Sequence, residues 1–127
     1  MLDLDLLPES YAVCRLPAGT PLPGNLPGDG GVVAITWTDS EVSIICPADR
    51  VPPGAQVETQ WRCMRVAGTM ELALAGILNS LTNPLAEARV NICAFSTYDT
   101  DYLLVPEVRL TEAVAVLTGA GHRIKET

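Results

Sequence analysis

At 127 residues, with 48% hydrophobic and 18% charged side chains, the chain has a globular composition, enough for one domain or two small modules sharing a core. Fifteen acidic residues against eight basic ones leave a net charge of -7, which repels a phosphate backbone and counts against nucleic-acid binding. The longest uncharged stretch, Leu72–Ala86, is broken by Asn79, Ser80, Thr82, Asn83 and Pro84, so it is too short and too polar to span a bilayer.

Residues 1–57 hold seven acids and two bases, and residues 58–127 hold eight and six, so the acidity is concentrated in the first part. A cationic ligand and plain solubility both accommodate that bias. The opening Met1-Leu2-Asp3-Leu4-Asp5 carries acids where a secretory leader carries bases, and a cytoplasmic location is expected. Cys14, Cys46, Cys63 and Cys93 form no CxxC pair, and each lies in an apolar or alternating run. They are expected to be buried, reduced thiols, and with one histidine in the chain no metal site is expected.

The first regular element is the strand pattern Tyr11–Leu16. After it, Pro17–Gly31 holds four prolines and five glycines, a composition that excludes a helix of any length. Residues Ala34–Pro47 read as strand, polar turn and apolar strand, with a proline ending the pairing. Val51-Pro52-Pro53-Gly54 then leads to a further strand, Trp61–Val66.

Beyond that strand the pattern becomes helical. Ile77, Leu78, Leu81, Leu85 and Ala88 mark one apolar face, with a kink or break expected around Leu81–Asn83 because Pro84 lacks a backbone donor. Residues Cys93–Pro106 form a second hairpin pattern. A second helix follows, capped at Thr111 or the residue before it, striped by Ala113, Val116, Leu117 and Ala120 and ended by Gly119 and Gly121. His122–Ile124 reads as a short last strand, with His122 itself exposed.

The two hairpin patterns are an internal repeat. Ala34–Pro47 lies over Cys93–Pro106 without a gap, Thr38 meeting Thr97, Ile44-Ile45-Cys46 meeting Leu103-Leu104-Val105, and Pro47 meeting Pro106. Upstream, Tyr11–Leu16 lies over Trp61–Val66. The second copy holds nine more residues between its first strand and its hairpin, about two and a half helical turns. The expected fold is therefore α+β: tandem β-α-β-β-α-β modules with a boundary at 57/58. The first is degenerate and lacks its first helix, and an antiparallel sheet carries helices on one face.

The run Ser96-Thr97-Tyr98-Asp99-Thr100-Asp101-Tyr102-Leu103-Leu104-Val105, preceded by Leu74-Ala75-Gly76-Ile77-Leu78 and Pro84-Leu85-Ala86-Glu87-Ala88, resembles the ACT-domain proteins. The likeness is to small stand-alone bacterial chains and CASTOR-type arginine sensors, and more distantly to the aspartokinase regulatory domain. It covers residues 60–124 well and the hairpin at 34–47 weakly. The resemblance implies a ferredoxin-like fold and an amino-acid site between two ACT modules. That site is built from Ala75, Gly76, Ile77 and Leu78 before the first helix, and from Ser96, Thr97, Tyr98, Thr100 and Asp101 on the hairpin. Asp101, with Glu71 as a second candidate, would meet a ligand's cationic group. A homodimer and a downstream protein partner are further family expectations.

Read without the resemblance, the same residues have plainer roles. Asp99, Thr100 and Asp101 are ordinary turn residues, Tyr98 and Tyr102 half-buried packing residues, and Trp37 and Trp61 core or interface residues. No GxSxG, P-loop or GxGxxG pattern occurs, and no carboxylate pair sits in an apolar run, so the chain is read as no enzyme and as needing no cofactor. The alternative function is a ligand-free interaction or dimerisation module.

Overall fold

The computed structural model describes residues 2–22, 24, 26, 28, 30–67 and 76–127. Seven strands run β1 (Asp3–Pro17), β2 (Ala34–Trp37), β3 (Glu41–Pro47), β4 (Gln56–Val66), β5 (Cys93–Ser96), β6 (Asp101–Pro106) and β7 (Arg123–Glu126). Two helices accompany them, α1 (Ile77–Glu87) and α2 (Leu110–Gly119). The fold is α+β, as the alternation of period-2 and period-3.6 patterns requires.

Two compact units divide the chain, but the division differs from the expected boundary at 57/58. The smaller unit is Glu9–Trp61, and the larger joins Met1–Pro8 to Arg62–Thr127. The physical reason is the length of β1 and β4, each of which begins in one unit and ends in the other.

In the larger unit the strand order is β7-β1-β4-β6-β5. A self-contained β-α-β-β-α-β unit beginning near residue 58 would pair β7 with β4. Here the start of β1 stands between them. β7 runs parallel to it, Asp3 opposite Arg123 and Leu6 opposite Glu126, a departure from an all-antiparallel sheet. On the other side the Ala67 N–H donates to the Asp3 carbonyl and Arg65 pairs with Asp5, so β4 falls in number as β1 rises and the two are antiparallel. Alternation then places Leu4, Leu6, Met64, Val66, Leu103 and Val105 on one face, where Leu81 and Leu85 of α1 and Ala113 and Leu117 of α2 cover them. Both helices lie on that face.

Helix α1 runs through Pro84 as one assigned helix, without the break expected near Leu81–Asn83. Proline at that position deprives the Ser80 carbonyl, four residues earlier, of its usual donor. The missing donor comes from His122. Its Nδ1 accepts the Leu2 N–H at 3.1 Å, so the ring proton is on Nε2, which donates to the Ser80 carbonyl at 2.9 Å. His122 is 4% exposed, and the expectation of an exposed histidine is thereby overturned.

Both helices end in the same six-residue motif. In α1 the Val90 N–H reaches the Leu85 carbonyl and the Arg89 N–H reaches Ala86, with Arg89 itself at φ 59. In α2 the His122 N–H reaches Leu117 and the Gly121 N–H reaches Thr118, with Gly121 at φ 97. Helix α2 starts without the expected cap: its N-cap position is Arg109, which makes no side-chain cap bond, and Thr111 lies inside the helix.

In the smaller unit β3 lies between β2 and β1, and β4 flanks β1. The repeat read from the sequence holds at the level of single hydrogen bonds. Ala34 pairs with Ile45 as Cys93 pairs with Leu104. The Thr38 N–H donates to the Glu41 carbonyl at 3.0 Å, and the Thr97 N–H to the Thr100 carbonyl at 2.8 Å. After each closing proline comes a 3-10 turn, Ala48–Arg50 in one copy and Glu107–Arg109 in the other. Only the second goes on into a helix. The first meets Val51-Pro52-Pro53, and Val51 is extended, as a residue before proline is expected to be.

Ala12, Cys14, Leu16, Leu26, Val42, Ile44 and Cys46 form the smaller unit's core. Cys63 is also buried, whereas Cys93 is only half-buried, against expectation, and no disulfide joins the four cysteines. Burial pushes the Cys46 thiol up to about 12, helped by Cys14 beside it. Because the unfolded chain releases that proton near 9.0, the contribution is complete below pH 9 and is lost as pH rises toward about 12. In thermal melts over that window the wild type is expected to lose stability more steeply than Cys46→Ala, by at most about 1.4 kcal/mol per pH unit. Equal slopes would show that this thiol titrates alike in both states.

Candidate functional site

The hairpin half of the expected site is formed by the β5–β6 turn. Ser96 and Asp101 face each other across it, and the Ser96 hydroxyl donates to Asp101 Oδ1 at 2.5 Å. The Thr97 hydroxyl bridges to the Thr100 backbone at 3.3 Å, and the Thr100 hydroxyl donates to the Val66 carbonyl at 2.8 Å. Thr100 and Asp101 are 5% and 8% exposed, so both are structural parts of the turn in this state. Tyr98 differs from its expected half-buried state. It is 86% exposed at the tip of the hairpin, while Tyr102 is half-buried and stacks on Phe95 with centroids 5.0 Å apart.

Gly76 forms the other half, at the start of α1. Its φ of 83 is a backbone conformation that a side chain disfavours, and a Cβ there would meet nothing within 4 Å. Among the described residues no side chain caps the helix, and N–H groups of a first turn carry the partial positive charge that suits a carboxylate. Ile77 and Leu78 follow, half-buried. Ala75 and Glu71 lie outside the described residues. The Val66 carbonyl held by Thr100 is the last of β4, and the chain then passes through Ala67 toward residues 68–75. The turn is thus tied to the strand from which the pre-helix segment departs.

Two contributions were not apparent from side-chain type. The Val66 carbonyl carries no sequence signature. His122 was signalled indirectly, because an intrahelical proline implies an orphaned carbonyl that some donor must satisfy. Trp37, expected in a core or an interface, is 57% exposed on β2, and Trp61 is half-buried. Among the described residues no three His, Cys, Asp or Glu side chains come close enough to hold a metal ion. None of the helices there is long and apolar enough to cross a membrane.

The chain is 36% identical to an Agrobacterium tumefaciens protein of known crystal structure, covering 99% of this chain and 93% of that one with a TM-score of 0.91. A Vibrio cholerae protein described as a possible transport protein is 15% identical, with coverage of 94% and 89% and a TM-score of 0.74. The ligand-free regulatory subunit of aspartate kinase from Thermus thermophilus is 12% identical, with coverage of 94% and 95% and a TM-score of 0.61. At those identities the last two establish likeness of fold alone. No curated protein sequence matches the chain. A family model for an N-terminal domain matches residues 9–54, close to the smaller unit, and the model of the ACT domain matches residues 56–119. Spanning half of the sequence, with both helices and the second hairpin inside it, that match makes the chain a member of the ACT-domain family.

Proposed function

We propose that the protein is a non-catalytic regulatory protein that binds a free amino acid at an ACT–ACT interface, as part of a cytoplasmic homodimer acting on a downstream protein. The observation that carries this reading is Gly76, whose left-handed backbone opens helix α1 within the segment matched by the ACT model. A carboxylate would meet the N–H groups at Gly76, Ile77 and Leu78, with Ala75 beside them. Ser96, Thr97 and Tyr98 would close over the ligand from the other module. Since Asp101 already holds Ser96 across the turn and Thr100 holds the Val66 carbonyl, their part is to fix its shape, and the arginine-sensor likeness rests on the 74–78, 84–88 and 96–105 sequences alone.

Thermal melts against the twenty amino acids test the proposal. At one hundred times its dissociation constant a native-state ligand adds about 2.7 kcal/mol, a rise of several degrees for a chain of this size. Tyr98→Ala, which removes an exposed side chain, is expected to reduce that rise and leave the unliganded midpoint unchanged. Absence of any rise with all twenty at millimolar concentration would eliminate amino-acid sensing. The interaction-module reading would then gain ground, favoured by Trp37 on the short strand β2, with a second copy adding to that strand.

A further inference from the structure

The repeat places an arginine at matching positions, Arg15 on β1 and Arg65 on β4, but surrounds the two differently. Arg65 has its counter-charge built in. Its guanidinium donates to Asp5 at 3.1 Å. Arg15 spends one N–H on the Ser40 carbonyl at 3.2 Å and enters no ion pair among the described residues.

Arg15 instead lines a depression of about 350 Å³ in the smaller unit, together with Val13, Glu41, Ser43, Val57 and Glu58. That volume is at the lower end of the range for small-molecule sites, ~300–1,000 Å³. Strand register explains the arrangement. Val13 and Arg15 alternate with the core residues Ala12, Cys14 and Leu16, so they project from the face opposite the core. Arg15 stands opposite Ser43, and Glu41 is two residues further along β3, a diagonal neighbour at about 7–8 Å between backbones. Glu41 and Glu58 likewise form no ion pair among the described residues.

We infer that this depression is a second ligand site, for a basic α-amino acid whose carboxylate takes at Arg15 the place that Asp5 takes at Arg65. The charges select the class. One guanidinium and two carboxylates complement a molecule with one carboxylate and two cationic groups, as in lysine or arginine. A planar guanidinium binds a carboxylate through two parallel hydrogen bonds, and Glu41 and Glu58 accept from the α-ammonium and the side-chain cation. Val13 and Val57 supply apolar wall for the aliphatic stem. This inference does not rest on the proposed Gly76 site.

Titration of the full chain with L-lysine and L-arginine, followed by amide NMR and calorimetry, tests the assignment. Shifts are expected at residues 13–15, 41–43 and 56–58. Arg15→Gln and Glu58→Gln, both at exposed positions, are each expected to weaken binding about tenfold or more, as loss of a charge-assisted hydrogen bond does. Cadaverine, which lacks the carboxylate, and 6-aminohexanoate, which lacks the α-ammonium, are expected to bind at least about tenfold more weakly than lysine. Shifts confined to 76–78 and 96–101, affinity indifferent to Arg15→Gln, or no binding of either amino acid would each overturn the second site. The first of these outcomes would at the same time support the Gly76 pocket.

Discussion

Removal of Met1–Pro8 is expected to unfold the larger unit, although the deleted residues lie outside the segment matched by the ACT model. Those residues supply the strand between β4 and β7. Leu4 and Leu6, 1% and 4% exposed, sit in the core under both helices. The deletion also strips the Arg65–Asp5 and Arg123–Asp3 pairs and the Leu2 N–H that binds His122. Truncating Leu4 to Ala alone is expected to cost about 2–5 kcal/mol, a large part of a stability of roughly 5–15 kcal/mol. Urea unfolding followed by circular dichroism reads both variants. A deleted chain that keeps native-like chemical shifts for α1 and α2 would show that β1 is dispensable there.

His122→Ala is expected to cost about 2–4 kcal/mol, because it leaves the Ser80 carbonyl and the Leu2 N–H without partners at a buried site. The cost should depend on Pro84. In a Pro84→Ala background residue 84 regains an N–H that reaches Ser80, so loss of the imidazole orphans one group in place of two. A double-mutant cycle is therefore expected to show a coupling of about 1–2 kcal/mol between positions 84 and 122. Strictly additive costs would mean that the histidine does not replace the donor that the proline lacks.

The two hairpins were legible because everything that defines them is local. Alternation, a threonine at each turn and a closing proline all fall within fourteen residues, and the register follows from the turn. The neighbour of β1 was not legible. The first strand was expected only from Tyr11, whereas it begins at Asp3; Leu2-Asp3-Leu4-Asp5-Leu6 alternates, but alternation carries no information about which strands flank it. The boundary expected at 57/58 followed from treating the repeat as two consecutive modules; the family models divide the sequence nearby, between 54 and 56, while the compact units group residues 1–8 with 62–127.

At the candidate site, sequence reading found the residues of the turn but not what they bond to. The structure adds that Asp101 accepts from the Ser96 hydroxyl and that Thr100 donates to the Val66 carbonyl. Tyr98 was misjudged because a strand-like neighbourhood suggested packing, while its position at the apex of a four-residue turn leaves it no neighbours to pack on. Arg15 drew no notice in the sequence, since its significance lies in the contrast with Arg65.

The parallel pairing of β7 with the start of β1 also bears on how the chain is made. Asp3 is synthesised 120 positions before Arg123, its partner. The sheet of the larger unit therefore cannot close until β7 has been made; β1 waits, one edge unpaired, while α1, β5, β6 and α2 are synthesised. Contacts of such sequence separation slow folding and lengthen the exposure of strand edges. The acidic side chains of Asp3 and Asp5 on that waiting strand are the kind of charge that discourages pairing with another chain in the interval.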